Sequence, residues 1–265
     1  MEQREVDTRE NVRTVTSNNF IVAHGLENMS LKARKLLYVA ISQCRKDDQE
    51  FYFYEIKAKD FAKLMDIDSH AVYREAHAIG VELMGTSIEA KIDEMQEEFE
   101  LYHLFNTCKY KKGVLRFKID SQMTDFFLNL RKDFTQPLLA DFLKMNSIYS
   151  MEIWHLMQRE MRSAKPGATD IIQFDLSLEE LREVTGTQNK LKQICQFKQR
   201  CFDKALREIY DNCGVNITYE NIKEGRKVTG FRCTAVSVLH VDTDKIPDEL
   251  KKKVQAKKKK MENKA

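Results

Sequence analysis

Between residues 31 and 42 the chain reads LKARKLLYVAIS. Its apolar positions Ala33, Leu36, Leu37, Ala40 and Ile41 fall on one side of a helix turning about 100° per residue. Ser30 stands just before them, where an N-cap belongs. A strand-like aromatic run, FYFYEI, follows, then KDFAKLMD as a short helix, IDSH as a turn and AVYREAHAIGVELMG as a longer helix. Short helix, turn, longer helix is the order of a helix-turn-helix. Beyond it Leu115, Phe117 and Ile119 alternate with Val114, Arg116 and Lys118, the period of a half-buried strand, and residues 109–113 form a basic, glycine-closed hairpin tip.

The same order recurs. IIQFDL reads as a strand, and Ser177 with Glu180 three residues on is a capping box opening a short helix. TGTQNK is a turn, and a longer helix follows that contains FKQRCFDKALREI. VNITYENIKEGRKVTGFRCTAVSV then gives two strand-like halves around Glu224 and Gly225, an acid-glycine hairpin signal. Strand, short helix, long helix and basic-tipped hairpin, twice over, predict an α+β chain of two tandem winged-helix domains. Pro137 and Pro166 flank the helical SIYSMEIWHLMQREM, so a junction is expected near 135–147. The expected organisation is a flexible segment at 1–17, a first winged helix at 18–135, a second at 136–240 and a basic disordered tail at 241–265.

Within FKQRCFDKALREI, Cys201, Phe202, Ala205, Leu206 and Ile209 share one face, while Arg200, Lys204 and Arg207 form a stripe opposite. Cations on an exposed helix face are most often solvated surface. Here the stripe coincides with a helix-turn-helix and a wing tip carrying Lys223, Arg226 and Lys227. A B-form major groove admits one α-helix, and arginine forks reach guanine O6 and N7 there. Arg200 and Arg207 are candidate readers, Lys204 a phosphate contact or further reader, and Gln196 and Gln199 partners for base edges. Lys198 falls on the apolar side if the helix already runs through it, so it either precedes the first turn or snorkels outward. The first longer helix offers only His70, Arg74 and His77 outward. Its domain either touches DNA mainly through wing residues Lys109, Lys111 and Lys112, or gives part of its surface to protein contacts, with the acidic 89–100 segment keeping that face off a duplex.

Composition sharpens this picture. A 42% hydrophobic content supplies cores, and a net charge of +3 hides an uneven distribution. Residues 190–232 carry ten cations against five acids, and 243–265 carry nine lysines against four acids, the latter in a composition that cannot pack a core. Six cysteines show no CxxC pair and no His at finger spacing, which suggests reduced, mostly buried thiols rather than a metal site. No HxH pair adjoins a tyrosine as a nicking nuclease would need, and neither GxxxxGK[ST] nor GxGxxG occurs, so neither an enzyme nor a cofactor is expected. No apolar run approaches the roughly 18 to 20 residues of a membrane span, and an intracellular location is expected.

NNFIVAHGLENMSLKARKLLYVAISQC, SIYSMEIWHLMQ and FKQRCFDKALREIYDNCGVNITYENIKEGRKVTGFRC together resemble the iteron-binding plasmid replication initiators, Rep proteins with two winged helices, over most of residues 18–236. The resemblance implies that the second domain places its longer helix in the major groove of a repeated origin sequence, assigning Lys198, Arg200, Lys204 and Arg207 to DNA. It further implies a first domain serving both DNA and dimerisation. Monomers would bind iterons and open the duplex with host initiation factors, helicase would be recruited, and dimers would repress their own gene, all in the bacterial cytoplasm. Gln199 stands where the family commonly has a second basic residue and Lys204 where it commonly has proline, so base preference does not transfer. The rival is a winged-helix transcription regulator bound as a symmetric dimer to a promoter palindrome.

Overall fold

The computed structural model describes residues 3–9, 11–90, 99–128, 130–164 and 171–237. The chain divides into two units, Met1–Ile148 with Glu183–Gly186, and Tyr149–Arg182 with Thr187–Ala265. In chain order the first holds β1 (Gln3–Glu5), β2 (Thr16–Ser17), α1 (Asn18–Ile21), α2 (Leu31–Ser42), β3 (Phe53–Lys57), α3 (Ala58–Met65), α4 (Val72–Gly85), β4 (Ser87–Ala90), β5 (Glu100–His103), β6 (Phe105–Lys111), β7 (Val114–Ile119), α5 (Thr124–Phe127), β8 (Phe134–Thr135) and α6 (Leu139–Lys144).

Ser30 caps α2 by accepting a hydrogen bond from the Ala33 amide, and Ala33, Leu36, Leu37, Ala40 and Ile41 are fully buried. Burial of each leucine or isoleucine contributes about 1.5–3 kcal/mol. The four-stranded sheet has the order β1-β3-β7-β6, which leaves β6 at an edge. Helix α4 packs so close to β6 that a Cβ on Gly80 would sit 2.8 Å from Cys108 Sγ. The β6–β7 wing turns on Lys112 and Gly113, both left-handed at φ 51° and 73°, as a two-residue hairpin loop of type I′ requires.

Two expectations fail in this unit. The described part of 1–17 is tied down. β1 pairs parallel with β3, Arg4 makes two 2.7 Å hydrogen bonds to buried Asp48, the Asp7 amide donates to Gln43 Oε1 and the Thr14 amide to the Pro137 carbonyl. Backbone pairing, the Arg4–Asp48 and Glu5–Lys57 ion pairs and the stacking of Arg4 over the Tyr52 ring do this, so a charged sequence conceals it. The junction also lies later than residue 136. Phe142 of α6 stacks on Tyr38 of α2 with centroids 4.2 Å apart, Lys35 Nζ donates to the Leu143 carbonyl, and the Leu139 amide donates to that of Val12. Residues 136–148 therefore complete the first core.

The second unit holds α7 (Ile148–Ser163), β9 (Ile171–Ser177), α8 (Leu178–Val184), α9 (Ile194–Phe197), α10 (Asp203–Cys213), β10 (Val215–Glu224) and β11 (Lys227–Ser237). On α7, Met151 and Met157 are buried with Trp154, as core filler is. The sheet runs β10-β11-β9, all antiparallel. Gly230 permits its closest approach, since a Cβ there would lie 2.5 Å from the Leu176 carbonyl oxygen. The Lys-rich tail at 241–265 and positions 91–98 of the acidic stretch lie outside the described residues.

Candidate nucleic-acid interface

Helices α8 and α9–α10 form the helix-turn-helix of the second unit. Ser177 caps α8 by accepting from the Glu180 amide, while the Glu180 carboxylate meets Arg159 at 2.7 Å rather than completing a capping box. Lys198–Phe202 joins α9 to α10 as a π-turn, so helix runs without a break from Ile194 to Cys213. The π-turn has a sequence cause. Phe197 and Phe202 are five residues apart, about 140° around an α-helix. The wider turn brings both to the core, where their rings stack 6.5 Å apart at 19°. Phe202 then stacks on Phe231 of β11 at 4.6 Å and meets Tyr219 of β10 edge-on at 5.0 Å. Tyr219 donates its hydroxyl to Asp203 Oδ1 at 2.7 Å, and burial first, then this carboxylate, holds the phenol well above its ordinary range. These contacts fix the helix to the wing strands.

The faces of the π-turn and α10 fall as the periodicity predicts. Cys201, Phe202, Ala205, Leu206 and Ile209 are buried, and Gln199, Arg200, Lys204 and Arg207 are exposed. Lys198 sits apart from that stripe. Its ammonium lies 4.8 Å from the Tyr219 ring centroid and 5.8 Å from that of Phe231, and donates to Asn221 Oδ1 at 3.2 Å. It braces the helix against the wing, a placement that follows from its position at the start of the π-turn. Gln196, half-buried, is less open than Gln199.

The wing is a long hairpin, β10 against β11, with a bulge between Ile222 and Lys223. Its two-residue loop is Gly225 and Arg226, flanked by paired Glu224 and Lys227; Gly225 is left-handed at φ 61°. Glu224 thus ends a strand, and the loop falls one position after the Glu224–Gly225 pair where the acid-glycine signal puts it. Lys223, Arg226 and Lys227 are exposed at this tip. Arg232 is drawn out of the local cationic excess by its 3.0 Å ion pair with Asp175 of β9.

In the first unit Lys109, Lys111 and Lys112 are exposed on the wing. Arg74 on α4 is exposed but lies 3.6 Å from Glu75, which also holds Lys32 at 2.6 Å; Lys32, then Arg74, keep that carboxyl below its usual range. Sequence reasoning missed what surrounds Arg74. Tyr73, Val81 and Met84 are 65%, 61% and 38% exposed, and with His77, Gly80 and Tyr110 they line a cavity of about 310 Å³ between α4 and β6. The available signal was the recurrence of Tyr73, His77, Val81 and Met84 at spacings of four, four and three, on a helix face away from Val72, Ala76 and Ile79. Sequence reasoning also passed over Lys190 and Lys192, exposed in the turn ahead of α9.

Among the described residues, no three His, Cys, Asp or Glu side chains gather in a way that could hold a metal ion, and no helix is long and apolar enough to cross a membrane. Residues 13–158 match the family model described as Initiator Replication protein, WH1, and residues 177–234 match Initiator Rep protein, WH2. The PI protein of Escherichia coli is 24% identical over 239 residues, covering 79% of this chain and 78% of the relative. A crystal structure of Pi initiator protein in complex with iteron DNA shares the fold with a TM-score of 0.72, at 21% identity over 86% of this chain and 98% of that one.

Proposed function

The chain belongs to the initiator Rep protein family, built from two winged-helix domains, and on that premise we propose that it initiates plasmid replication by binding direct repeats at an origin. The observation that carries this reading is the exposure of Arg200, Lys204 and Arg207 along one side of the continuous helix formed by the π-turn and α10, whose other side is buried against β10 and β11. A helix held this rigidly presents guanidinium forks to base edges without having to order them on binding. Gln199 serves as a further base contact, and Lys204, Lys223, Arg226 and Lys227 meet phosphates on either side. Lys198 contributes by bracing the helix, its charge close to the duplex but already partnered.

The first unit adds phosphate contacts through Lys109, Lys111 and Lys112, while Arg74, beside Glu75, is a minor contributor. Its α4 face, apolar where a reading helix would be cationic, supports self-association, and a dimer of this kind would repress its own promoter. The open origin would then be handed to host initiation and helicase-loading proteins in the bacterial cytoplasm. No catalytic step is assigned to the chain.

The test is a binding titration on duplexes carrying the direct repeats of the replicon, against unrelated duplexes of equal length. Arg200→Ala with Arg207→Ala is expected to abolish the preference for the repeats, each fork being worth about 1–3 kcal/mol of discrimination, with residual salt-dependent binding retained. An unchanged preference in the folded double variant would overturn the assignment of α10 as the reader.

A further inference from the structure

No acidic residue occurs between Glu183 and Asp203, the stretch that forms the turn of the helix-turn-helix and enters the reading helix. Lys190 and Lys192 project from that turn, both exposed, with no acid paired to either among the described residues. Its backbone is held by one side chain. Arg182 on α8 directs Nη1 to the carbonyls of Thr187 at 3.0 Å and Lys190 at 3.2 Å, and Nη2 to those of Leu191 at 3.0 Å and Lys192 at 3.2 Å. The guanidinium carbon also lies 4.8 Å from the ring centroid of Phe197, the last residue of α9. Two backbone bonds tighten the loop, Thr187 amide to Arg182 carbonyl at 2.8 Å and Lys190 amide to Thr187 carbonyl at 3.2 Å.

Leu191 has φ 50°, a left-handed conformation that costs any residue with a Cβ and is uncommon for a bulky one. Nothing in the side chain of leucine favours it. The two carbonyls on either side of the Leu191 Cα–N and Cα–C bonds, those of Lys190 and Leu191, both accept from Arg182, so the guanidinium holds the backbone where leucine alone would not stay. A strained turn maintained by an arginine, with two unpaired cations at its crest, is the form a phosphate-binding element takes when its geometry must exist before the ligand arrives.

We propose that the turn at 187–193 is a phosphate-backbone clamp for duplex DNA, with Lys190 and Lys192 as its contacts and Arg182 as the positioning residue that holds Leu191 left-handed. This rests on the reading of the second unit as the duplex-binding module. It adds a backbone anchor ahead of α10 that contributes to affinity and docking register, while Arg200 and Arg207 contribute to base choice.

Four variants test it by fluorescence anisotropy on repeat and unrelated duplexes across a salt series. Lys190→Ala with Lys192→Ala is expected to weaken binding to both duplexes by the same factor and to lower the slope of log K against log salt by about 2, since each phosphate contact contributes roughly 0.9. Arg182→Met is expected to weaken both by about tenfold or more. Arg182→Met with Leu191→Gly is expected to regain most of that loss, because glycine occupies the left-handed region without a clamp, and Leu191→Gly alone is expected to bind as the natural chain does. An unchanged salt slope in the double lysine variant overturns the clamp. Absence of recovery by glycine, with circular dichroism reporting a folded domain, overturns the role of Arg182; should Arg182→Met fail to fold, the lysine slope still decides the clamp. A natural chain with no preference for the repeats sinks the reading on which this rests, yet the slope measured on unrelated DNA continues to judge the two lysines.

Discussion

Lys198 and Arg200 are separated by one residue, and only one of them is free to meet a ligand. The Lys198 ammonium is spent on two aromatic faces and Asn221, interactions worth about 0.5–2 kcal/mol to the fold, whereas Arg200 is exposed. The cysteines divide in a similar way. Cys195 is exposed and Cys233 is fully buried, its thiol pushed up to about 12 by burial and, less, by Asp175. Cys195 is therefore expected to react first with a thiol reagent such as DTNB, with Cys233 reacting only as the second unit opens. The pH dependence has a definite sign. An unfolded Cys233 ionises near 9.0 and the folded one near 12, so the stability it contributes is complete below about 9 and is lost as pH rises toward 12. By pH 10 the loss from this one thiol is on the order of 1 kcal/mol. Cys233→Ala is expected to lower Tm at neutral pH, through the cavity it leaves, and to flatten the decline in Tm from about pH 8 to about pH 10. An alkaline decline as steep as in the natural chain would show that this thiol is not its source.

At the scale of elements, the helices and hairpins were legible wherever one period runs unbroken. Lys204 and Arg207 fall opposite Ala205, Leu206 and Ile209 because all lie beyond the π-turn, in one register, while Arg200, inside the turn, is exposed. Lys198 was ambiguous because it lies where the register changes, and averaging over a helix period hides a single added residue. β1 was illegible for another reason: its partners include backbone groups of β3, the carboxylate of Asp48, the ammonium of Lys57 and the ring of Tyr52, all remote in sequence. The turns were half-legible. In the first wing the glycine was evident, but a lysine at φ 51° beside it was not, since Lys is a poor left-handed residue. That mismatch makes a prediction with two opposed signs. Lys112→Asn creates the Asn-Gly loop that type I′ hairpins favour and is expected to stabilise the first unit by a few tenths to about 1 kcal/mol in urea denaturation. The same change removes a proposed phosphate contact and is expected to lower the salt slope of DNA binding by about 0.9. Greater stability with an unchanged slope would remove Lys112 from the interface.

For the molecule as a whole, the two winged helices carry unlike surfaces on equivalent helices. The π-turn and α10 offer Arg200, Lys204 and Arg207, while α4 offers Tyr73, Val81 and Met84 around a cavity of about 310 Å³. Two non-identical modules in one chain suit a target without internal two-fold symmetry. A dimer with two-fold symmetry instead requires an inverted arrangement, because each copy must meet its half-site in the same way. If the α4 face joins two copies, monomer and dimer therefore read different DNA, and the two activities separate by mutation. Val81→Glu with Met84→Glu sets two carboxylates in an apolar contact and is expected to shift the chain to monomer in sedimentation equilibrium. The monomeric variant is expected to keep the affinity of the natural chain for a single direct repeat and to lose at least tenfold on an inverted pair of the same half-sites, since linkage between the two sites is gone. Equal loss on both duplexes would mean that α4 contacts DNA after all. A dimer that persists in the variant would place self-association on another surface, leaving the exposed tyrosine, valine and methionine to a different partner.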